Sequence, residues 1–337
     1  MKKSDIVRTL LKNRYRHAPL HSSATAYAPS NIALCKYWGK RDQELNLPVT
    51  SSLSISLANK GSFTELSLTQ NPNDVVFVNG QQLDLNSSFG KRLQAYFDLF
   101  RVKSSLFFET NIKTNIPIGA GLASSACGFA SMVMALNALF GWELKENELS
   151  ILARLGSGSA SRSLWHGFVE WRAGEQSDGL DSFGELIADT WPEFCVGLLI
   201  ITEAEKEISS RVAMQRTVTT SPLYSAWPLK VKNDLSTLKR AIGSKDFRLL
   251  GETAESNALT MHATMLSAWP PVFYALPETI TLMKKIWALR EQGFMLFFTQ
   301  DAGPNLKLLF LEKDAEAVQR EFPHVDIIKP FKQTSKE

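Results

Sequence analysis

Several short segments of the chain carry residues suited to anion binding, and the first lies where a predicted strand gives way to an apolar helix. Glycines let a backbone approach an anion closely, and the free N–H groups at the start of a helix favour phosphate. The segment lacks the lysine of a G-x-x-x-x-G-K-[ST] loop. It is interpreted as a phosphate-binding loop, with an ordinary capped helix as the alternative. Its residues are Pro117, Ile118, Gly119, Ala120, Gly121, Leu122, Ala123, Ser124, Ser125 and Ala126.

A second segment runs through small residues and hydroxyls to a single arginine. A planar guanidinium matches a carboxylate or a phosphate, so this arginine is a candidate anion ligand. A flexible loop with a surface arginine is the alternative, but the apolar residues at 164–171 favour a loop tethered to the core. The residues are Gly156, Ser157, Gly158, Ser159, Ala160, Ser161, Arg162 and Ser163.

Asp301 is the candidate base. It follows the apolar residues 295–298, in the turn Thr299-Gln300-Asp301-Ala302-Gly303-Pro304-Asn305, and the sequence predicts a helix after this turn. A carboxylate in that position is either a helix N-cap or a positioned proton acceptor.

Two further segments place cations among aromatic or hydroxyl residues. Arg211 follows Ser209 and Ser210 at a predicted helix start, where it is either an anion contact or part of a plain cap. The other segment is either an anion site or a solvated turn, and it contains Lys36, Tyr37, Trp38, Gly39, Lys40 and Arg41.

The elements that must position these residues predict an α+β chain in two lobes. Residues 1–23 are expected to be a disordered basic tail. Alternating strands, an Asn79-Gly80 hairpin and helices near 89–100, 124–140 and 146–155 make up a predicted lobe at 24–190. A strand at 194–202, helices at 209–219, 222–242, 245–261 and 279–292, and a strand at 294–299 make up a lobe at 191–337.

Composition excludes several classes of protein. The 337 residues carry 37 basic and 34 acidic side chains, so the net charge of +3 does not argue for a nucleic-acid or membrane partner. No apolar run reaches the ~18–20 residues of a membrane helix. Three scattered cysteines and no metal-spaced histidines predict neither disulfides nor a protein-held metal, and indicate a cytoplasmic location.

Taken together, the segments resemble the mevalonate diphosphate decarboxylases, which belong to the kinase superfamily of galactokinase, homoserine kinase and mevalonate kinase. The resemblance covers roughly residues 25–310. It rests on Asn31-Ile32-Ala33 with residues 36–42, on 121–126, on 156–159 with Arg162, on 301–305, and on His262 with Trp269-Pro270-Pro271. It implies a two-lobed small-molecule kinase fold, with an N-terminal lobe like the second domain of ribosomal protein S5 and a ferredoxin-like C-terminal lobe.

The resemblance also implies a reaction and roles. ATP, with Mg²⁺, would place its phosphates on residues 117–126, and 5-diphosphomevalonate would become isopentenyl diphosphate, with ADP, phosphate and CO₂. Asp301 would orient or deprotonate the 3-hydroxyl and Arg162 would grip the carboxylate. A homodimer with no nucleic-acid or membrane partner is implied. The implied substrate-binding set is Tyr37, Trp38, Gly39, Lys40, Ser157, Gly158, Ser159, Ala160, Ser161, Arg162 and Arg211.

One departure leaves the substrate open. Many relatives carry an arginine near the hairpin that here spans residues 71–80, yet no Lys or Arg occurs between Gly61 and Gly90. Arg211 is a candidate to replace that charge. The alternatives are a phosphomevalonate decarboxylase, a mevalonate 3-kinase and, in a different class, a non-catalytic relative that binds a nucleotide or a partner.

Overall fold

The N-terminal half of the computed structural model is built on a seven-stranded sheet; the structure describes residues 1–103, 105–116, 124–204 and 206–332. Strand β4 is long enough to be shared, since it pairs with β1 on one edge and with β7 and β8 on the other. The strands are β1 (Ser23–Cys35), β4 (Ser52–Thr69), β5 (Val75–Val78), β6 (Gln81–Gln82), β7 (Phe107–Thr114), β8 (Phe168–Trp171) and β9 (Gly184–Leu186), and a small separate ladder joins β2 (Lys40–Asp42) to β3 (Leu47–Pro48).

Helices cover one face of this sheet. α3 (Ser124–Phe140) packs against β1 and β4, and most of its apolar residues are buried, as its sequence predicts, although Ala138 is exposed. α2 (Ser88–Asp98) and α4 (Glu146–Gly156) pack beside it, α1 (Lys3–Leu11) contacts α4, and a 3₁₀ turn at Gly158–Arg162 follows α4. The predicted hairpin is confirmed, because Asn79 and Gly80 both have positive φ, as a type I′ turn requires.

Among the described residues, the C-terminal half combines an antiparallel four-stranded sheet, in the order β11-β12-β10-β13, with five α-helices. Helix α7 contacts both β11 of this sheet and β1 of the first, so it joins the two halves. The elements are β10 (Phe194–Leu199), α5 (Ser210–Thr220), α6 (Trp227–Ser244), α7 (Phe247–Leu266), α8 (Pro277–Glu291), β11 (Phe297–Gln300), β12 (Leu306–Leu311), α9 (Ala315–Glu321) and β13 (Asp326–Ile328).

The prediction of a disordered N-terminal tail is wrong for its first part. Residues Lys3–Leu11 form a helix, and Ile6, Val7 and Leu11 are fully buried. Their spacing, with Leu10, places four apolar side chains on one helix face, and burying that face stabilises a helix too short to persist alone.

The prediction of a helix after Asp301 is also wrong. Residues 301–305 are the turn of a β-hairpin, since Phe297–Gln300 pairs antiparallel with Leu306–Leu311. Strand β12 is buried on both faces, so its apolar run lacks the alternation that identifies a half-exposed strand. Helix α6 begins at Trp227 rather than 222, after a 3₁₀ turn at Tyr224–Ala226.

A search of the described residues for a helix long and apolar enough to cross a membrane finds none.

Candidate active site

A cleft of about 490 Å³ gathers residues from both halves of the chain. Its walls come from the end of β1, the start of α2, the first turn of α3, the 3₁₀ turn after α4, the start of α5 and the β11–β12 turn. Its polar and charged lining residues include Asn31, Lys36, Tyr37, Lys40, Arg92, Ser125, Ser157, Ser159, Arg162, Arg211 and Asp301.

The carboxylate of Asp301 lies between two buried ammonium groups. Lys36 Nζ is 2.7 Å from Oδ1, and Lys307 Nζ is 3.4 Å from Oδ2. The side chains of Lys36 and Lys307 are 2% and 1% exposed, whereas that of Asp301 is 22% exposed and faces the cleft. The helix N-cap alternative for Asp301 is therefore excluded, and the carboxylate is the accessible member of a buried charge triad.

Burial raises the pKa of Asp301, but the ammonium groups of Lys36 and Lys307 outweigh it and bring the pKa down to about 2. Burial lowers the pKa of Lys36 to about 8, although its contact with Asp301 opposes this effect. Burial likewise lowers the pKa of Lys307. At neutral pH the triad therefore contains an ionised carboxylate.

Main-chain contacts hold the triad in place. Lys36 Nζ also donates to the carbonyl of Ala33 at 2.7 Å, and its backbone N–H donates to Asn257 Oδ1 at 2.8 Å. His262 Nε2 lies 3.2 Å from the backbone oxygen of Asp301. A carbonyl oxygen only accepts, so this ring nitrogen donates, and burial lowers the pKa of His262 to about 4, which keeps the imidazole neutral.

Arg162 lines the same cleft, and its side chain is almost completely buried. Nη1 donates to Ser52 Oγ at 2.6 Å, Nε donates to Asn31 Oδ1 at 3.4 Å, and the guanidinium lies 5.8 Å from the ring centroid of Trp171. Burial lowers the pKa of Arg162 to about 10. Among the described residues no carboxylate forms an ion pair with it, so its charge is available to an anion in the cleft.

The serine segment divides between the cleft and the interior. The hydroxyls of Ser125, Ser157 and Ser159 form a chain with 3.3 Å and 3.4 Å spacings along the cleft wall. Ser161 instead turns inward and donates to the carbonyl of Gly158 at 2.7 Å. Ala160 is buried in the core. Ala160 and Ser161 therefore do not line the cleft, although both belong to the predicted substrate-binding set.

The remaining predicted site residues either line the cleft, lie away from it, or fall outside the described residues. Tyr37, Trp38, Lys40, Gly158 and Arg211 line the cleft, whereas Gly39 and Ala126 do not. A Cβ on Gly39 would lie 1.8 Å from the Tyr224 hydroxyl, so this glycine permits close packing. Outside the described residues lie Pro117, Gly119, Ala120, Gly121, Leu122 and Ala123, and the side chain of Ser124 is also not described.

Sequence reasoning missed two cations of the site. Lys307 is the one charged residue in the run Leu306–Leu311, and a lysine inside a buried strand signals a charge partner. Arg92 lines the cleft from α2, next to the buried Leu93. The sequence pattern that could have indicated it is a cation at the edge of an apolar helix face.

Two family models match most of the chain. A diphosphomevalonate decarboxylase-like N-terminal domain matches residues 28–184, and a mevalonate 5-diphosphate decarboxylase C-terminal domain matches residues 196–336. The chain belongs to the diphosphomevalonate decarboxylase family. This confirms the family resemblance, while the lobe boundary near residue 190 stays a prediction.

Individual family members agree with this assignment. The diphosphomevalonate decarboxylase of Aspergillus fumigatus is 38% identical over 318 residues, which cover 88% of this chain and 78% of the relative. The crystal structure of mevalonate diphosphate decarboxylase from Staphylococcus aureus matches with a TM-score of 0.85 at 33% identity, over 91% of this chain and 95% of that one. A structure of MDDEF in complex with MVAPP, AMPPCP and magnesium matches with a TM-score of 0.83 at 38% identity, over 90% and 95% of the two chains. The predicted two-lobed α+β kinase fold is confirmed.

Proposed function

We propose that this family member catalyses the ATP-dependent decarboxylation of mevalonate 5-diphosphate to isopentenyl diphosphate, with ADP, phosphate and CO₂ as the other products. The observation that carries the proposal is one cleft that holds both an ionised Asp301 and a buried Arg162 with no carboxylate partner among the described residues. The first suits a hydroxyl that must attack ATP, and the second suits a carboxylate that must leave as CO₂.

In the first step the 3-hydroxyl of the substrate donates a hydrogen bond to Asp301, and its oxygen attacks the γ-phosphorus of ATP. The bond between that phosphorus and the β-phosphate oxygen breaks, and ADP leaves. A carboxyl with a pKa of about 2 is a weak base, so the proton moves to Asp301 late, when the new O–P bond has made the hydroxyl acidic. Phosphoryl transfer depends mainly on positioning and charge stabilisation, and the triad supplies the positioning.

In the second step the tertiary phosphate leaves with the C–O bonding electrons. The electron pair of the C–CO₂ bond then forms the alkene, and CO₂ departs. Arg162, fixed by Ser52 and Asn31, would hold the carboxylate in line for this cleavage.

The diphosphate would lie along the cations and hydroxyls of the cleft. Arg211 and Lys40 supply charge, and the buried Tyr37 hydroxyl, which has no partner among the described residues, would donate to a phosphate oxygen. Ser157 and Ser159, which also line the cleft, would donate as well. Trp38 and Gly39 shape the turn that carries Lys40, while Gly158, Ala160 and Ser161 shape the turn that carries Arg162.

ATP would bind with its phosphates on residues 117–126, of which Ser125 presents its hydroxyl to the cleft. No cluster of three metal-ligating side chains occurs among the described residues. A site with so few protein ligands fits Mg²⁺, because Mg²⁺ is commonly held by substrate phosphates, water and one or two protein oxygens. When bound, Mg²⁺ neutralises the triphosphate, and the Ser125 hydroxyl is its candidate protein ligand. The complex of MDDEF with AMPPCP and magnesium supports the use of Mg²⁺ together with a nucleotide.

We propose further that the chain acts as a homodimer in the cytoplasm. The three cysteines are buried and form no disulfide in the part of the chain that the structure describes, which suits a reducing compartment. Light scattering of the purified chain at several concentrations tests the dimer, and a constant monomer mass would reject it.

A coupled assay tests the reaction. Purified chain, Mg²⁺, ATP and mevalonate 5-diphosphate are combined, ADP and CO₂ are followed together, and the 5-monophosphate is run in parallel. Equal yields of ADP and CO₂ from the diphosphate are expected. ADP without CO₂ would make the chain a 3-kinase, and turnover of the monophosphate alone would make it a phosphomevalonate decarboxylase.

A further inference from the structure

Arg92 stands outside the segments that the sequence singles out, yet it lines the cleft. It comes from α2, where Ser88 also lines the cleft, and residues four apart lie on one helix face. Its guanidinium lies 5.5 Å from the ring centroid of Phe129 on α3, so the side chain is held against the core and not extended into solvent.

Arg92 shares its part of the cleft with Lys40 and Arg211. These three residues come from three separate elements, β2, α2 and α5, which only the tertiary fold brings together. No acidic side chain forms an ion pair with Arg92 or Arg211 among the described residues, and Lys40 is hydrogen-bonded at 2.6 Å to the neutral Asn46. Three cations thus converge without a protein counter-charge.

The mutual effect of these cations supports their proximity. Burial and then the charge of Arg211 lower the pKa of Arg92 to about 10. Burial and then the charges of Arg211, Lys3 and Arg92 lower the pKa of Lys40 to about 8. Asp301 is absent from both sets of influences, so this cluster is separate from the triad around the catalytic carboxylate.

The hairpin that follows β5 cannot supply this charge. Its turn residues Asn79 and Gly80 and the β6 residues Gln81 and Gln82 are uncharged and exposed, and no Lys or Arg occurs between Gly61 and Gly90. The first cations after the hairpin are Lys91 and Arg92, and of these two only Arg92 reaches the cleft.

We infer that Arg92 binds the terminal phosphoryl group of the substrate's diphosphate and so sets the preference for a 5-diphosphate over a 5-monophosphate. This inference rests on the proposed function. A phosphate monoester carries about −1.5 to −2 charge at neutral pH. A second phosphoryl group adds negative charge and acceptor oxygens. A third cation, Arg92, would bind this added group, which the 5-diphosphate has and the 5-monophosphate lacks. Lys40 and Arg211 would hold the phosphoryl group that both ligands share.

The test compares Arg92→Gln and Arg92→Lys with Lys91→Gln as the matched control. Lys91 carries the same charge on the same helix but is exposed to solvent and does not line the cleft. For each protein, kcat/KM is measured with mevalonate 5-diphosphate and with the 5-monophosphate, together with KM for ATP and Tm. Binding of both ligands without ATP is measured by calorimetry.

A hydrogen bond to a charged group is worth roughly 10–100-fold in affinity, so Arg92→Gln should weaken the diphosphate by about that factor. The monophosphate should change far less, Arg92→Lys should restore part of the loss, and Lys91→Gln should match the wild type. Equal loss on both ligands, no loss on either, or an effect confined to KM for ATP would each overturn the inference.

The calorimetric arm separates this inference from the proposed reaction. If the wild type releases no CO₂ but binds the diphosphate more tightly than the monophosphate, and Arg92→Gln abolishes that difference, the proposed reaction fails and the role of Arg92 stands. If the wild type turns over the diphosphate and Arg92→Gln keeps the wild-type preference, the reaction stands and the role of Arg92 fails.

Discussion

Replacing Asp301 by asparagine removes the carboxylate of the buried triad while nearly preserving its shape. Two consequences follow from the geometry. The substrate hydroxyl loses its proton acceptor, and the ammonium groups of Lys36 and Lys307, at 2.7 and 3.4 Å, lose their shared counter-charge.

Both consequences have a magnitude. A positioned base contributes roughly 10²–10⁴ in rate, so kcat of Asp301→Asn should fall by about that factor while ATP binding survives. The pKa of Asp301 falls from its ordinary 3.8 to about 2, which corresponds to ~2 kcal/mol of folding free energy at neutral pH.

The sign of the pH dependence is set by the depressed pKa. The stabilisation from the ionised Asp301 is fully present above its unfolded pKa of 3.8, and it is lost as the pH falls through the folded value of about 2. The contribution of the ionised Asp301 to the stability of the wild type should therefore be constant from pH 7 to about 4 and should shrink below that.

The assay combines single-turnover release of ADP and CO₂, calorimetry with ATP, and urea unfolding. Asp326→Asn is the matched control, because Asp326 pairs with Lys60 at 2.6 Å on the surface and is 48% exposed. Exposed pairs are worth about 0–1 kcal/mol, so this control should keep its activity and nearly all its stability. A kcat for Asp301→Asn within tenfold of wild type, with intact ATP binding, would refute the role of the carboxylate.

Three other changes test separate parts of the structure. Arg162→Lys keeps the charge but loses the planar fork, so kcat/KM for the diphosphate should fall ~10–100-fold with KM for ATP unchanged; wild-type kcat/KM would contradict the carboxylate role. Activity should decline as the pH rises through about 8, because Lys36 then loses the proton that pairs it with Asp301, and Lys36→Arg should move this decline to higher pH; a decline that stays at the same pH would assign it to another group. Asp74→Asn removes the carboxylate 2.5 Å from Arg101 Nη2 and leaves Asp98, 2.8 Å away and 66% exposed, as the ion-pair partner of Arg101 among the described residues; urea unfolding should therefore report a loss of roughly 1–3 kcal/mol with kcat unchanged, and no measurable loss would show that the Asp74 pair is not structural.

The positions of Lys307 and Arg92 show why part of the site could not be predicted from the sequence. A lysine in an apolar run predicts a charge partner but not which residue it is. The β11–β12 pairing brings Lys307 to Asp301, and the helix predicted after Asp301 was incompatible with that pairing. Arg92 lies next to a buried leucine on an amphipathic helix, and many surface arginines share that pattern. Only the packing of α2 against α3 directs it into the cleft.

Local sequence alone determined the serine turn before Arg162, the Asn79-Gly80 hairpin and most of the helices, because each depends on residues within a few positions of one another. The tertiary structure decided which of these residues meet. Lys36 and Asp301 are 265 residues apart and form a 2.7 Å contact. α7, packed against both β1 and β11, joins the elements that carry them. Packing also determined that α1 is a helix, because burial of its four apolar residues in the core stabilises it. Long-range contacts of this kind depend on the whole core, and no local pattern encodes them.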